Sequence, residues 1–327
     1  MRNLFRLLHG RPDIRVEAIS DLAEPAALAY LLRFDTLLGR FLEPVALEGE
    51  GARLRAGERS IPLFAGKDAT AIPPWGALGV HTVFEATSRG RTRAEAEAHL
   101  AAGARRVILL APPLEPADAT PVFGVNDATM DPAQRIVSNA SSTVQCLVPA
   151  LAILQKVFGI RRAIFTTIHS YTSAHRLADV PLEDMRRGRA AAENIIPQAS
   201  RSPAMVVELL PELRGKVTGY AMNVPVSNGS VVDLVCWHEK PVTKASIDEA
   251  FRAAAASDRW RHVLAYEDAP IVSSDVARSP YSATYDALAT MTLGDRVSKT
   301  LSWFDSGYGY AQRGIDLVER YAALEAR

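Results

Sequence analysis

The chain has 327 residues, which is long enough for more than one domain and for a large hydrophobic core. Hydrophobic residues make up 48% and charged residues 23% of it, as is typical of a globular protein. Basic and acidic residues both number 37, so the net charge is zero, and the composition favours neither a nucleic-acid partner nor a membrane surface.

The first half of the chain alternates helical and strand-like segments, and its strands are apolar enough to be buried on both faces. This pattern predicts an α/β domain with a parallel sheet. In chain order, the predicted elements are a helix at 1–9, a strand at 14–22, a helix at 25–41, strands at 52–57, 59–65 and 80–87, a helix at 92–104 and a strand at 105–112.

The second half carries longer strands and fewer helices. This pattern predicts an α+β arrangement, in which a mixed or antiparallel sheet has helices on one face. The predicted elements are a helix at 146–158, strands at 161–172, 216–226 and 229–239, a helix at 246–256, a strand at 297–305 and a helix at 310–326.

The cysteine content bears on the compartment and on metal binding. The two cysteines, Cys146 and Cys236, lie in apolar runs and can form neither a disulfide framework nor a zinc site, which is typical of a reducing cytoplasm. No apolar run reaches the ~18 residues of a membrane span. The basic, amphipathic N-terminus lacks the continuous apolar core of a signal peptide. We therefore expect a cytoplasmic protein without a metal site.

The stretch 138–146, SNASSTVQC, joins a strand-like run to the helix at 146–158. A thiol at the start of a helix readily becomes a thiolate, whereas a serine stays protonated unless a base is positioned beside it. Ser141 and Ser142 stand at this turn, and serine is also a preferred helix N-cap. The residues alone therefore leave two interpretations open, a serine nucleophile or a structural cap.

His169 lies near the end of the strand at 161–172, where a strand delivers a side chain to the edge of a sheet. It is the candidate base, although a single histidine is as readily structural. Thr172 and a basic cluster of Arg186, Arg187 and Arg189 follow it along the chain. The cluster is interpreted either as a solvated loop or as an anion site or subunit contact.

In this order, the segments resemble the phosphorylating glyceraldehyde-3-phosphate dehydrogenase family over nearly the whole chain. The nucleophile motif of that family, SNASCTTNC, is similar to 138–146, and its base motif stands at 166–172 as TTIHSYT. Further stretches that resemble the family are 18–41, 103–112, 120–126, 184–197, 210–234 and 301–317.

The resemblance implies a Rossmann-type NAD-binding domain at 1–141, completed by a C-terminal helix at 307–327, and a catalytic domain at 142–306. It also implies a cytoplasmic homotetramer that uses NAD in glycolysis and acts on a small phosphorylated aldehyde. In the family mechanism, a cysteine attacks the aldehyde while a histidine takes the proton. Hydride then passes to NAD, and phosphate releases the thioester.

The family's functional residues carry over only in part. Ser142 stands at the nucleophile position in place of cysteine, Cys146 matches a second, non-catalytic cysteine, and His169 keeps the base. In the substrate and phosphate sites, Arg201 replaces a glycine and Asn223 replaces an arginine; the matching positions are Ser141, Thr172, Arg187, Ser200, Arg201 and Asn223. In the cofactor site, Ser306 replaces an asparagine; the matching positions are Asp21, Thr87, Ser306 and Tyr310.

The family opens with a strand and a glycine-rich turn, GxGRIGR, that cradles the pyrophosphate. This sequence aligns just after that turn. We expect either a start assigned too late or a truncated protein, and we favour the first because the downstream core needs that strand. A true truncation would leave NAD binding weak or absent. Asp21 favours NAD over NADP, since an acid repels a 2′-phosphate.

The sequence leaves three hypotheses for function. The first is a member of the family that is impaired or silent in the phosphorylating reaction, a pseudoenzyme. The second is an active NAD-dependent dehydrogenase that oxidises glyceraldehyde 3-phosphate or a related, less phosphorylated aldehyde, with Ser142 as nucleophile or His169 hydrating the aldehyde. The third is esterase-like hydrolysis by Ser142 and His169, which lack an obvious third residue to orient the histidine.

Overall fold

The computed structural model of the chain describes residues 2–66, 71–87 and 92–326. These residues form two compact units. Unit 1 runs up to Thr120, resumes at Met130–Asn139 and includes the chain from Ala311 onwards, and unit 2 comprises Pro121–Thr129 and Ala140–Tyr310. The domain limits expected from the sequence differ from these units chiefly at 121–129, and they stay a prediction.

The helices and strands follow the chain in two groups. Up to residue 139 they are α1 (Arg2–Leu8), β1 (Ile19–Asp21), α2 (Pro25–Arg33), β2 (Phe34–Asp35), β3 (Gly39–Arg40), β4 (Val45–Glu48), β5 (Arg53–Ala56), β6 (Arg59–Ala65), β7 (Thr82–Glu85), α3 (Arg93–Ala101), β8 (Arg106–Leu109) and β9 (Ile136–Ser138). Beyond it they are α4 (Ser142–Phe158), β10 (Ile160–Ser170), β11 (Ile196–Gln198), α5 (Ser202–Leu209), β12 (Val217–Val224), β13 (Ser230–His238), α6 (Lys244–Ala256), β14 (Leu264–Glu267), β15 (Ala283–Leu293), β16 (Val297–Phe304) and α7 (Tyr308–Glu325).

The sheets of unit 1 are parallel where the sequence predicts buried strands. Strand β1 pairs with β6 in parallel, and β7, β8 and β9 form a second parallel group. Every residue of β8 is buried, as expected of a strand covered on both faces. The additional strands β4 and β5 are antiparallel to their neighbours, so the parallel prediction is confirmed except at that hairpin.

The helix predicted at 25–41 is wrong in its second half. Helix α2 ends at Arg33, and the remaining residues form the β2–β3 hairpin. The side chain of Asp35 accepts hydrogen bonds from the backbone N of Leu37 at 2.9 Å and of Leu38 at 3.0 Å. Gly39 supplies the positive φ of 71° that closes the turn. Local Asp and Gly turn chemistry therefore outweighs the helical spacing of the leucines.

Unit 2 is built on one seven-stranded sheet in the order β11-β12-β10-β13-β16-β15-β14. Strand β10 runs parallel to β12 and antiparallel to β13, so the sheet is mixed, as predicted. The register places His169 of β10 directly beside Asn223 of β12. The α/β class, with a parallel sheet and a mixed sheet, is therefore confirmed.

The sequence analysis missed β15, although this strand has 11 residues. Its sequence, ATYDALATMTL, lacks the strict alternation of apolar and polar residues that marks a half-buried strand. Its first five residues are all buried, and its register against β16 shifts between Asp286 and Met291. A strand that is buried on both faces and then bulges leaves no period-two signal in the sequence.

Helix α4 forms the core of unit 2. Twelve of its residues are buried, among them Leu147, Leu151 and Leu154, which are fully inaccessible. Burial of this apolar face fixes the direction of the helix and thereby the position of its first turn. Within the described chain, no helix combines the length and hydropathy that crossing a membrane requires.

Candidate active site

The turn into α4 fixes the position of both serines. Ser141 is the N-cap, and its Oγ accepts a hydrogen bond from the backbone N of Val144 at 3.2 Å. Ala140 precedes it with a φ of 56°, although a left-handed backbone is costly for a residue other than glycine. Ser142 is the first helical residue, where the N–H groups and the helix dipole are positive. The capping interpretation is thus confirmed for Ser141, whereas Ser142 does not serve as the cap.

The surroundings of Ser142 do not favour an alkoxide. Ser142 lines a small cavity with Phe304, Asp305 and Tyr310. The buried Asp305 carboxylate accepts hydrogen bonds of 2.7–2.8 Å from the side chain of Asn228 and from the backbone N of Arg278, Gly307 and Tyr308. A carboxyl group that lines the same cavity as a hydroxyl does not favour deprotonation of that hydroxyl. No other described residue forms a hydrogen bond with the Ser142 hydroxyl, so no base contacts it.

Neither cysteine offers a substitute nucleophile. Cys146 lies inside α4, and its Sγ donates to the carbonyl of Ser302 at 3.5 Å. Cys146 and Cys236 are both fully buried. Burial raises the pKa of both thiols well above the usual value, so that neither forms a thiolate at neutral pH.

The imidazole of His169, the predicted base, is held in its neutral form. Its Nδ1 lies 2.7 Å from the carbonyl oxygen of Ser170, so Nδ1 donates, and Nε2 of the neutral ring is left as an acceptor. The ring packs edge-on against Phe304, with 5.9 Å between the ring centroids. Burial lowers the pKa of His169, although the hydrogen bond to Ser170 acts in the opposite direction. The imidazole therefore stays unprotonated at neutral pH and can accept a proton.

Asn223 is the residue that pairs with that histidine on the neighbouring strand. Because β10 and β12 are parallel and pair His169 with Asn223, both side chains stand on the same face of the sheet. Asn223 is only 4% exposed. Its Nδ2 donates to the Ser170 carbonyl at 3.4 Å, the same oxygen that orients His169. The predicted substrate-site residue and the predicted base therefore share one acceptor.

The loop after β10 carries the next predicted residues. Thr172 is exposed, and its backbone N donates to Nδ1 of His175 at 3.1 Å. The backbone N of Arg187 donates to the side chain of Asp184 at 3.2 Å, and its buried Nε has no partner in the described residues. Arg189 pairs with Asp179. Of the basic cluster, Arg187 thus keeps an available donor.

Ser200 and Arg201 lie at the start of α5. The Oγ of Ser200 accepts from the backbone N of Ser202 at 3.1 Å, so this hydroxyl serves the helix start. Arg201 is exposed, and its side chain forms no ion pair with a described residue. Among the described residues, no hydrogen bond joins either residue to His169 or Asn223.

The residues predicted to bind the cofactor lie in both units. In unit 1, Asp21 ends β1, and Thr87 follows β7, where its backbone N donates to Glu85 at 2.6 Å. In unit 2, Ser306 lies in the turn before α7, and the hydroxyl of Tyr310 donates to the carbonyl of Ala140 at 3.2 Å. Tyr310 therefore braces the strained residue that precedes the two serines.

Sequence reasoning missed three groups in unit 2 that surround the predicted residues. They are His175, which accepts from Thr172, Asp305, which borders the Ser142 cavity, and Ser230, whose Oγ accepts from the backbone N of Ser170 at 3.1 Å. The DS dipeptide at 305–306 before a helix is an N-cap signal that could have identified Asp305. The contact of Ser230 depends on the pairing of distant strands, which no local pattern encodes, whereas His175 contacts Thr172 within one loop turn.

Two profiles of known families match the chain. The profile described as glyceraldehyde 3-phosphate dehydrogenase, C-terminal domain, matches residues 141–306, and the profile described as glyceraldehyde 3-phosphate dehydrogenase, NAD binding domain, matches residues 2–93. An NAD-binding domain followed by the C-terminal domain of this family defines an NAD-binding oxidoreductase.

Curated proteins give the same result over the whole chain. The glyceraldehyde-3-phosphate dehydrogenases of Mycobacterium avium and Mycobacterium leprae are each 42% identical over 322 residues, which cover 97% of this chain and 94% of theirs. That of Geobacillus stearothermophilus is 42% identical over 323 residues, with 98% and 95% covered. The chain belongs to the glyceraldehyde-3-phosphate dehydrogenase family, and the predicted membership is confirmed.

Proposed function

We propose that this protein is an NAD-dependent oxidoreductase of the family in which the phosphorylating oxidation of the aldehyde is impaired or silent. One observation carries the proposal: a serine stands at the nucleophile position, and both thiols of the chain are sealed in the core. The phosphorylating route needs an acyl group that is captured by sulfur and then handed to phosphate. The residues around Ser142 offer no group that replaces the thiol in that role.

The covalent route through Ser142 fails at its last step. Ser142 Oγ would add to the aldehyde carbon while His169 Nε2 takes the hydroxyl proton, which gives a hemiacetal. Bound NAD supplies the acceptor for the hydride that leaves this carbon. The resulting ester must then lose the serine alkoxide to phosphate, and an alkoxide is a much poorer leaving group than a thiolate. Loss of a covalent nucleophile typically lowers kcat by about 10⁴–10⁶.

A second candidate is a slow, phosphate-independent oxidation to the acid, and the state of His169 favours it. With Nδ1 tied to the Ser170 carbonyl, Nε2 can take a proton from a water molecule that adds to the aldehyde. The hydrate that forms loses a hydride from carbon and a proton from oxygen, and it leaves as a carboxylic acid. This reaction needs no thiol and no phosphate.

The esterase-like alternative has less support. A triad requires an acid that orients the histidine and stabilises its charged form. Here Nδ1 of His169 donates to a backbone carbonyl instead, and no carboxylate among the described residues contacts the ring. The orientation is provided, but the charge stabilisation is not.

We propose NAD as the cofactor, and Asp21 fits it. Its Oδ1 accepts from the backbone N of Ala23 at 2.9 Å, while Oδ2 bonds to no other residue in the described ranges. One carboxylate oxygen at the carboxyl end of β1 is therefore available to a ribose hydroxyl, and its charge disfavours a 2′-phosphate. Calorimetry with NAD and NADP tests this assignment separately from turnover.

The test of the proposed function is the formation of NADH by the whole protein with glyceraldehyde 3-phosphate, with and without phosphate or arsenate. We expect no activity, or a slow activity that phosphate does not change. Rapid, phosphate-dependent NADH formation would overturn the proposal. Hydrolysis of an activated ester that Ser142→Ala abolishes would instead favour the esterase alternative.

We also propose that the protein is a homo-oligomer, a tetramer by resemblance, and the seven-stranded sheet of unit 2 supports this. Ile164, Tyr220 and Trp237 share one face of neighbouring strands and are 47%, 40% and 38% exposed. Apolar side chains in such a group are costly to leave in water. Light scattering should give an oligomer for the unmodified protein and a smaller species for Trp237→Glu; a monomer at both would reject the proposal.

A further inference from the structure

Two buried polar atoms near His169 have no hydrogen-bond partner among the described residues. They are Oδ1 of Asn223 and Nε2 of His175. Asn223 faces His169 in the register of β10 and β12, and His175 folds back onto Thr172, three residues after His169. Buried groups of this kind are usually paired, so two unpaired atoms, one on β12 and one in the loop after the neighbouring strand β10, point to a ligand.

The hydrogen bonds already made assign the chemistry of each atom. Nδ2 of Asn223 donates to the Ser170 carbonyl at 3.4 Å, so Oδ1 is the free side of the amide and can only accept. Nδ1 of His175 accepts from the backbone N of Thr172 at 3.1 Å, so Nε2 carries the hydrogen and can only donate. Strand β12 therefore carries one unpaired acceptor, and the loop after β10 carries one unpaired donor.

A hydroxyl group matches this pair, because it donates one hydrogen bond and accepts others. A phosphate dianion offers only acceptors, and beside Asn223 it would set two acceptors against each other. We propose that Asn223 Oδ1 and His175 Nε2 bind a hydroxyl group of the substrate, which is therefore a small hydroxyaldehyde without phosphate at this position. The inference rests on the proposed function, because it takes His169 as the base that acts on the aldehyde.

The surrounding charges agree with a neutral group at this subsite. Burial lowers the pKa of His169, and the proximity of His175 acts in the same direction, so the two rings lie close to each other. Asn223 brings no charge of its own, and it supports the carbonyl that sets the tautomer of His169. An anion at this subsite would raise the cost of keeping Asn223 Oδ1 unpaired, whereas a hydroxyl removes that cost.

The test measures binding without NAD, so that no hydride transfer takes place. Dissociation constants for glyceraldehyde, lactaldehyde and glyceraldehyde 3-phosphate are measured on the whole protein by ligand-observed NMR. Lactaldehyde lacks the terminal hydroxyl, and glyceraldehyde 3-phosphate carries a phosphate there. We expect glyceraldehyde to bind about tenfold more tightly than either, since a missing partner leaves both buried groups unpaired.

Variants locate the effect. Asn223→Leu and His175→Phe should each weaken glyceraldehyde about tenfold and leave lactaldehyde unchanged, because only the first ligand loses a hydrogen bond. Asn223→Arg should reverse the preference towards the phosphorylated ligand. Circular dichroism checks that each variant folds. If a variant does not fold, the dissociation constants of the three ligands for the unmodified protein test the proposal.

Two results would overturn the proposal: equal binding of glyceraldehyde and lactaldehyde, or tighter binding of glyceraldehyde 3-phosphate by the unmodified protein. Neither result depends on turnover. A failure of the proposed function appears as fast, phosphate-dependent NADH formation, whereas a failure of the subsite appears in the binding ratios alone.

Discussion

The end of β10 and the start of α4 carry the two groups of the candidate site, and they are fixed in different ways. At the end of β10, a backbone carbonyl sets the tautomer of His169, Phe304 supports its ring, and Asn223 holds the same carbonyl. At the start of α4, the cap is made by Ser141, and the hydroxyl of Ser142 has no partner among the described residues.

The two regions therefore differ in the chemistry that each presents. The turn before α4 includes the left-handed Ala140, and the side chain that it presents is a hydroxyl, which lines one cavity with a buried carboxylate. At the end of β10, a neutral imidazole that can accept a proton is held in place. Any reaction that survives should therefore depend on His169 more than on Ser142.

The largest expected effect comes from repairing the nucleophile end. Ser142→Cys together with Asn223→Arg should raise phosphate-dependent NADH formation from glyceraldehyde 3-phosphate by at least ~10³, part of the ~10⁴–10⁶ that a covalent nucleophile supplies. Ser142→Cys alone should raise it much less, because Asn223 brings no cation for the substrate phosphate. A full recovery in the single variant would show that the pocket was intact for phosphate and would contradict the hydroxyl subsite.

The role of His169 as a base is tested by His169→Gln. This variant should lower the rate of any residual aldehyde oxidation by a factor of about 10²–10⁴, the usual contribution of a general base. Substitution of the exposed His262 by Gln is the matched control and should leave the rate unchanged. Stopped or continuous NADH assays measure both. An unchanged rate in His169→Gln would show that the retained histidine is structural.

The same reaction should depend on pH in a defined direction. Because burial lowers the pKa of His169 below 6.5, the base is already unprotonated at neutral pH. The rate should therefore be flat above pH 6.5 and should fall only at more acid pH, as Nε2 takes a proton. The stability that the neutral ring contributes is likewise present above the unfolded pKa and is lost as the pH falls through the folded one. A rate that still rises between pH 7 and 8 would identify another group as the base.

The sequence predicted more of the region around His169, at the end of β10, than of the region around Ser142, at the start of α4, for physical reasons. The strand of His169 is long and apolar, and its residue 169 falls where a strand ends, so both were predicted. The partition of roles between Ser141 and Ser142 depends on which residue takes the extended cap conformation, and local composition does not settle that. The pairing of His169 with Asn223 depends on register between strands far apart in the chain.

Gly229 precedes Ser230, which bonds to the strand of His169, and we expect Gly229→Ala to lower the stability of the protein considerably. Gly229 has a φ of 77°, and a Cβ there would lie 1.8 Å from the carbonyl oxygen of Ser273. It precedes Ser230, whose Oγ accepts from the backbone N of Ser170. We expect a loss of about 2–4 kcal/mol in the free energy of unfolding, from strain plus overlap.

Gly294→Ala is the matched control for that variant. Gly294 has a φ of 61°, and a Cβ there meets nothing within 4 Å, so only the backbone strain remains, about 1–2 kcal/mol. Urea denaturation followed by tryptophan fluorescence compares the two. Equal losses of free energy of unfolding in the two variants would show that the turn at Gly229 shifts to accept the added methyl group. The end of β10 would then be held less rigidly than we infer.

The smallest effect is expected at the cap of α4. Ser141→Ala removes the hydrogen bond to the backbone N of Val144 and should cost about 1 kcal/mol, the usual contribution of an N-cap. Ser141→Asn keeps a capping oxygen and should cost a few tenths of that. If Ser142 shared the capping role, Ser142→Ala would cost as much as Ser141→Ala; we expect it to cost less, because the Ser142 hydroxyl bonds to no described group. Equal losses in the same denaturation measurement would return Ser142 to a structural role and leave His169 as the sole chemical group of the pair.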